Sequence, residues 1–234
     1  MKYDRKNYDI DKICPLSGDY KVIKLVKPGS TILEIGCATG YIGKFLKERM
    51  NCKLFGIEID EKAAKIAEPY YEEIIIGDVE DENLLKDINI KFDYILCMSV
   101  LEHLKDPKKI LIRLKQFIKE NGRVIIIIPN VAYWAIRLKL LFGNFDYEKG
   151  ILGGYGKGIM DETHLRFFTY KTAKKLINDA GYKVVYSSFD PDMGLPKFHG
   201  LLLRIPCGWK LLEKFYSINP KIFAFNFIFE IIRS

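Results

Sequence analysis

Apolar and polar residues follow two different rhythms along this chain, and the rhythms predict its elements. Short, nearly continuous apolar runs rich in β-branched residues are typical of strands buried on both faces of a sheet. Five such runs occur: "TILEIG" (31–36), "KLFGIEID" (53–60), "EEIIIGD" (72–78), "FDYILCMSV" (92–100) and "GRVIIIIPN" (122–130). The run "YKVVYSSFD" (182–190) predicts a sixth strand, and "KIFAFNFIFEII" predicts a last one.

Helical patterns lie between these runs. One helix is predicted to begin after Asp106, which can cap it, with Pro107 in its first turn and an Asn-Gly pair at 121–122 as its stop. Its apolar stripe comprises Ile110, Leu111, Leu114, Phe117 and Ile118. Another helix is predicted after Thr169, ending at Gly181. Because strands and helices alternate, we predict an α/β fold with a parallel sheet covered on both faces.

Two segments interrupt the alternation. Residues 131–168 contain "AYWAIRLKLLF" and a glycine-rich loop, and residues 191–220 contain "GWKLLEKFYS". Long insertions in a compact domain often carry binding loops, so we predict one domain, 1–234, in which both insertions form a substrate lid. The first insertion contains an apolar stripe, which we expect either to cover the core as a lid or to contact a lipid headgroup region. The stripe comprises Trp134, Ile136, Leu138, Leu141 and Phe142, interleaved with Arg137 and Lys139.

Charge and cysteine content indicate which partners and which cellular compartment suit the chain. Lys and Arg number 37 against 30 Asp and Glu, a net charge of +7 that would suit nucleic acid, phosphorylated precursors or a lipid surface. The basic residues are spread along the chain, which favours an ordinary solvated surface instead. Five cysteines without a CxxC pair predict free thiols in a reducing cytoplasm. A polar start, "MKYDRKNYDIDK", and the lack of a long apolar run agree with a cytoplasmic protein.

The glycines of "LEIGCATG" (33–40) indicate a ligand loop after the first strand. Neither GxGxxG nor GxxxxGK[ST] is present, so the pattern favours a nucleoside-like ligand without a pyrophosphate. Glu34 lies inside an apolar strand, where burial is costly unless the carboxylate meets a cation or donors. Glu58 and Asp78 end the next two strands, where they can accept from a ribose and from an adenine amine. Three acids at consecutive strands suit a cationic adenosyl ligand.

In this order, "LEIGCATG", "GIEID", "GDVE", "FDYILCMSVLEHLKDP" and "GRVIIIIPN" resemble class I S-adenosylmethionine-dependent methyltransferases over roughly residues 20–190. The resemblance implies a doubly wound, mostly parallel seven-stranded sheet with an antiparallel last strand, and S-adenosyl-L-methionine as cofactor. It also implies that Met98 and Ser99 face the sulfonium. The other cofactor-binding residues it implies are Glu34, Gly36, Cys37, Gly40, Glu58, Asp78 and Val79.

The acceptor is less clearly marked. "SVLEHLKDP" is similar to small-molecule O-methyltransferases of quinone and polyketide pathways, and segment 131–168 resembles a branch associated with polysaccharide and lipid-linked sugar assembly. The candidate catalytic residues are His103, His164 and Asp161, and each histidine is either a base or a structural residue. Some quinone O-methyltransferases hold a metal ion with acids and the histidine of this segment. Ser99 stands in place of one of those acids here, so we expect no metal.

The leading hypothesis is therefore methyl transfer to oxygen of a small-molecule, sugar or lipid-linked acceptor, with peripheral membrane contact as an option. An RNA methyltransferase that exploits the positive charge is one alternative, although no RNA-binding appendage is recognisable. A non-catalytic scaffold that keeps the cofactor pocket is another. A nicotinamide dehydrogenase fits less well, because its glycine spacing is absent.

Overall fold

The computed structural model of this chain describes residues 15–86, 88–143, 163–191 and 208–234. Predictions made for Asp161, for the glycine-rich loop and for most of the second insertion lie outside the described residues.

A seven-stranded sheet forms the centre of the molecule. Its strands are β1 Thr31–Ile35, β2 Lys53–Glu58, β3 Glu73–Ile76, β4 Phe92–Met98, β5 Ile118–Pro129, β6 Tyr182–Pro191 and β7 Ala224–Arg233. Their order across the sheet is β3-β2-β1-β4-β5-β7-β6. All neighbouring pairs are parallel except the two that involve β7, which runs antiparallel to both β5 and β6. The predicted α/β class, with an antiparallel last strand, is confirmed.

Helices cover both faces of the sheet, as the alternation predicted. They are α1 Gly18–Leu25, α2 Tyr41–Met50, α3 Glu61–Ala67, α4 Pro107–Leu114, α5 Trp134–Leu141, α6 Tyr170–Asp179, α7 Gly208–Ser217 and the short α8 Pro220–Phe223. One core cluster joins the sheet to α4 and α6 through residues such as Leu111 and Ile177. A second cluster, on the other face, joins it to α1 and α2 through residues such as Val22 and Leu46.

The predicted cap at Asp106 is present, and the helix predicted to begin after Thr169 is capped by that residue. The Asp106 side chain accepts from the Lys109 backbone N–H at 3.0 Å. At α6, Thr169 and Thr172 form a reciprocal capping box, with the Thr169 N–H donating to Thr172 Oγ1 at 2.8 Å. Such caps satisfy N–H groups that the first helical turn leaves without partners.

The predicted end of α4 is wrong by one turn. The helix ends at Leu114, Phe117 lies in a short 3₁₀ turn, and Ile118 already pairs with Phe92 in the sheet. Pairing with β4 therefore overrides the helical spacing of these two apolar residues, and the Asn-Gly pair at 121–122 lies within β5 rather than at a helix stop.

Helix α5 divides its apolar residues between the interior and the surface. Ile136 is 2% exposed, whereas Leu138, Leu141 and Phe142 are 46%, 77% and 71% exposed. The stripe read from the sequence therefore does not form one buried face. Among the residues described, no helix is long and apolar enough to cross a membrane.

The sheet order creates the place for a site. β1 and β4 are neighbours, yet successive strands proceed from them in opposite directions, towards β3 and towards β6. The connections at their carboxyl ends diverge, which opens a crevice at this topological switch point.

Candidate functional site

A cavity of about 770 Å³ runs along the carboxyl ends of the strands. This volume is within the range of small-molecule sites, roughly 300 to 1,000 Å³. Many residues predicted for the site line it: Gly36, Glu58, Asp78, Val79, Met98, Ser99 and His103. The structure thus brings together residues from the ends of four different strands.

Two glycines shape the loop that follows β1. Gly36 and Gly40 have φ angles of +70° and +73°, in the left-handed region that side chains disfavour. A Cβ on Gly36 would lie 2.8 Å from Val100 Cγ2, and one on Gly40 would lie 2.8 Å from Ala67 Cβ. Both positions therefore require glycine for backbone conformation and for space.

Glu58 organises the same loop from the end of β2. Its Oε2 accepts from the Ala38 N–H at 2.7 Å, and its Oε1 accepts from the N–H groups of Ile59 and Asp60 at 2.9 and 3.0 Å. A carboxylate offers about four lone-pair positions, so Glu58 can also accept from ligand hydroxyls in the cavity.

The turn after β3 forms another part of the cavity wall. Asp78 Oδ1 accepts from the Glu80 N–H at 2.8 Å. The Glu80 carboxylate in turn accepts from the N–H groups of Lys105 and Asp106, at 2.9 and 2.8 Å. These bonds tie the turn that carries Asp78 and Val79 to the start of α4.

Three predicted cofactor residues, Glu34, Cys37 and Gly40, do not line the described part of the cavity. Glu34 is 4% exposed and accepts a 2.6 Å hydrogen bond from the hydroxyl of Tyr71. Burial raises the pKa of Glu34 to about 7, and it also raises the pKa of the Cys37 thiol. The donor that this buried acid requires is thus a tyrosine, which sequence reasoning missed.

Ser99 adopts a strained conformation at the end of β4. Its φ is +55°, a region that non-glycine residues visit rarely, and its N–H donates to the Ile127 carbonyl at 3.1 Å. Such outliers persist where the surrounding structure enforces them, and they cluster at binding and catalytic sites. Ser99 and Met98 face the cavity at the switch point.

The histidine predictions converge on one place. His103 lines the cavity, and its Nδ1 lies 3.1 Å from both the carbonyl oxygen and the Oγ1 of Thr163. The His164 ring packs edge-on against it, with centroids 4.7 Å apart. The N–H groups of Leu165 and Arg166 both donate to the Glu102 carbonyl, at 2.8 and 2.9 Å, which holds the two segments together.

Glu102 adds a carboxyl group to this pair. Glu102 is 1% exposed, its Oε2 has no hydrogen-bond partner among the described residues, and burial raises its pKa to about 8. Ligand atoms of Glu102, His103 and His164 lie within 4.8 Å of one another. Two imidazoles and a carboxylate can hold a divalent transition metal once the carboxyl has lost its proton. The expectation of no metal rested on Ser99. It did not anticipate that His164 would lie beside Glu102 and His103.

The part of the cavity that lies between α1, β6 and β7 was not predicted from the sequence. Ser17, Gly18 and Asp19 line it from α1 and its cap, and Asp190 and Asn226 line it from β6 and β7. The motif at the end of the sixth strand, "SFD" (188–190), was the available signal, because an acid at a strand's carboxyl end faces the same edge as Glu58.

Comparisons with known proteins add to this geometry. The sequence model of a family described as a methyltransferase domain matches residues 13–187. The ubiquinone biosynthesis O-methyltransferase of Idiomarina loihiensis is 24% identical over 93% of each chain. The enzyme of the same name from Glaesserella parasuis is 28% identical over 47% of this chain, and that match spans only 55% of the relative's length.

Solved structures share the fold. A SAM-dependent methyltransferase from Archaeoglobus fulgidus superposes with a TM-score of 0.61 at 17% identity, over 92% of this chain and 90% of the other.

Proposed function

The chain belongs to the methyltransferase-domain family, and on that premise we propose that it transfers a methyl group from S-adenosylmethionine to an oxygen of a small-molecule acceptor. One observation carries the proposal. A single cavity joins Glu58 and Asp78, at the ends of β2 and β3, to His103 after β4. A donor and an acceptor can therefore meet inside one site.

The residues of the cavity suit the donor part by part. The loop at Gly36 would hold the methionine portion, and Glu58 would accept from the ribose hydroxyls. Asp78 and Val79 would contact the adenine, and Ser99 would face the sulfonium. S-adenosylmethionine carries positive charge on its ammonium and sulfonium groups. The carboxylates of the cavity wall create a potential that attracts this charge.

Transfer requires an in-line arrangement of three atoms. A lone pair of the acceptor oxygen attacks the methyl carbon while the carbon–sulfur bond breaks, and its electron pair stays on the sulfur of S-adenosylhomocysteine. The hydroxyl proton passes to a base. Alignment and exclusion of water contribute most of the acceleration, because the sulfonium already activates the methyl group.

We assign the role of base to His103. When its Nδ1–H donates to the Thr163 carbonyl at 3.1 Å, its Nε2 keeps a lone pair that can accept the hydroxyl proton. His164 packs against this ring and acts as a positioning residue. Three narrower predictions remain within this proposal. They are a catalytic role for Asp161, a sugar or lipid-linked acceptor, and membrane contact through α5.

Calorimetry with S-adenosylhomocysteine tests the donor half, and we expect a micromolar dissociation constant. For the acceptor half, His103→Gln should lower turnover of an accepted catechol by about a hundredfold, the usual contribution of a general base. His164→Ala should lower kcat less, and neither variant should change donor affinity. Absence of donor binding at millimolar ligand, or an unchanged kcat in His103→Gln, would contradict the proposal.

A further inference from the structure

The cavity extends beyond the residues assigned to the donor, into a corner between α1, β6 and β7. We propose that this corner, formed by Ser17, Gly18, Asp19, Ile127, Asp190 and Asn226, binds a hydroxyl or ammonium group of the acceptor and selects against anionic acceptors. The inference rests on the proposed function, because it requires the donor to occupy the other part of the cavity.

Sheet order separates the two parts. The donor residues follow β1, β2, β3 and β4, whereas Asp190 and Asn226 lie on β6 and β7, beyond β5. In the proposed binding mode the methyl group of the donor would lie close to Ser99, at the switch point between β1 and β4. The Ser99 N–H donates to the carbonyl of Ile127, which belongs to the corner wall. An acceptor that reaches the methyl group can therefore extend into the corner.

Asp190 is held with its carboxylate at the corner. Asn226, its partner across the β6–β7 ladder, donates from Nδ2 to Asp190 Oδ2 at 3.2 Å. A Cβ on Gly18 would lie 3.2 Å from the same oxygen and 3.1 Å from Ile127 Cδ1, so the absence of a side chain there keeps the corner open. A carboxylate has more lone pairs than these contacts use, so it can accept from a ligand hydroxyl or ammonium.

Charge supports the same selectivity. The described part of the cavity wall carries the carboxylates of Asp19, Glu58, Asp78, Glu80 and Asp190, against Lys105 as its one lysine. The charge of Lys21, on α1, acts on Asp190, but the Lys21 Nζ donates to the Phe189 carbonyl at 2.8 Å and lies 3.6 Å from Glu213 Oε1. A phosphate or carboxylate on the acceptor would meet this wall at an unfavourable potential, whereas an ammonium would be attracted.

The protonation of Asp190 adds a pH dependence. Burial raises its pKa to about 7, the Asp19 charge also raises it, and Lys21 together with hydrogen bonds from Asn226 and Gly18 opposes the rise. As pH rises through 7, Asp190 becomes charged, so affinity for an ammonium should increase while affinity for a carboxylate should fall.

Three probes with the same ring test the corner: catechol, dopamine and 3,4-dihydroxybenzoate, which are neutral, cationic and anionic. Their binding to the complex with S-adenosylhomocysteine is measured by calorimetry at pH 8. We expect dopamine to bind at least about tenfold more tightly than 3,4-dihydroxybenzoate, and Asp190→Asn to reduce this ratio to about twofold. Asp179→Asn, at an exposed acid paired with Lys175 at the end of α6, is the matched control and should leave the ratio unchanged.

Equal affinities for the charged probes, no binding of any probe, or an unchanged ratio in Asp190→Asn would overturn the inference. Asn226→Ala supplies a second variant, and it should weaken dopamine binding while thermal melting reports on folding. Methylation of the probes is measured separately. Binding in the expected order without methylation would support the proposed corner and contradict O-methylation of these acceptors. Methylation that does not change in Asp190→Asn would support the proposed function and contradict the role of the corner.

Discussion

The Tyr71 hydroxyl donates a 2.6 Å hydrogen bond to Glu34 Oε2, directly beneath the loop that follows β1. The same tyrosine fills the space under α2, since a Cβ on Gly43 would lie 2.3 Å from its hydroxyl oxygen. Glu34 therefore has a protein donor before any ligand binds. The contact couples a buried carboxyl to the floor of the proposed cofactor site.

Replacing Glu34 should change how stability depends on pH. Because burial raises the pKa of Glu34 from 4.5 to about 7, its contribution to stability is complete below pH 4.5 and is lost as pH rises through 7. A Glu34→Gln variant does not titrate, so at pH 8 it should be more stable than the parent by up to about 3 kcal/mol, at 1.36 kcal/mol per pKa unit. Denaturant unfolding at pH 5 and pH 8 measures the difference, which should be small at pH 5.

Tyr71→Phe supplies the complementary change. Loss of the hydroxyl leaves a buried ionised carboxylate without its donor, and we expect a loss of about 2 kcal/mol at pH 8. In the Glu34→Gln background the loss should be smaller, which a double-mutant cycle measures. Equal losses in both backgrounds would show that the charge of Glu34 adds nothing to this hydrogen bond.

Gly36→Ala and Gly29→Ala form a matched pair. Both glycines have positive φ, +70° and +74°, so each alanine carries a backbone cost of roughly 1–2 kcal/mol. At Gly36 the added methyl meets Val100 Cγ2 at 2.8 Å, whereas at Gly29 no atom of the described residues lies within 4 Å. We expect Gly36→Ala to be the more destabilising and to weaken S-adenosylhomocysteine binding, as measured by unfolding and calorimetry.

A second substitution tests the cause. Val100→Ala should recover part of the loss in Gly36→Ala, because it removes the clashing methyl group. A Gly36→Ala variant that resembles Gly29→Ala in stability and in donor affinity would contradict the steric argument.

Glu58→Gln should weaken donor binding by about tenfold or more, because an amide replaces one oxygen that accepts from N–H groups and turns a donor towards them. Calorimetry with S-adenosylhomocysteine measures the effect. Glu73→Gln, at an exposed acid of β3, is the control. Equal affinities in the two variants would remove Glu58 from the donor site.

Chelation should leave turnover unchanged. Because burial raises the pKa of Glu102 to about 8, this carboxyl is mostly protonated at pH 7 and attracts a cation poorly. Activity on catechol is measured after dialysis against EDTA and again after adding zinc or magnesium. A loss that metal restores would assign Glu102, His103 and His164 to a metal site instead.

Much of the fold could be predicted, because buried parallel strands leave a strong apolar signal. The runs that became β1, β2, β4 and β5 are such strands, and the caps at Asp106 and Thr169 are local. The end of α4 could not be predicted, since Phe117 and Ile118 fit the helical spacing and only pairing with Phe92 places Ile118 in β5.

Some residues of the candidate site could likewise be predicted from the sequence, and others could not. Glu58, Asp78 and the glycines were accessible because each sits at a strand end with its own motif. Tyr71 was not, since its role depends on a contact with Glu34, more than 30 positions away along the chain. Asp190 ends a predicted strand, but its contact with Asn226, also more than 30 positions away, has no signal in the sequence. A tyrosine after a 3₁₀ turn carries no motif that connects it to a glutamate in another strand.

The position of β7 between β5 and β6 has a consequence for synthesis on the ribosome. Among the described strands, β6 pairs with β7 alone, although β6 is translated first. A nascent chain that has emerged through β5 already contains the strand ends that we propose bind the donor, but Asp190 finds its place only after β7 inserts. Domains fold preferentially from the N-terminal side during translation. The two ends of the cavity are therefore completed at different moments, the donor end first.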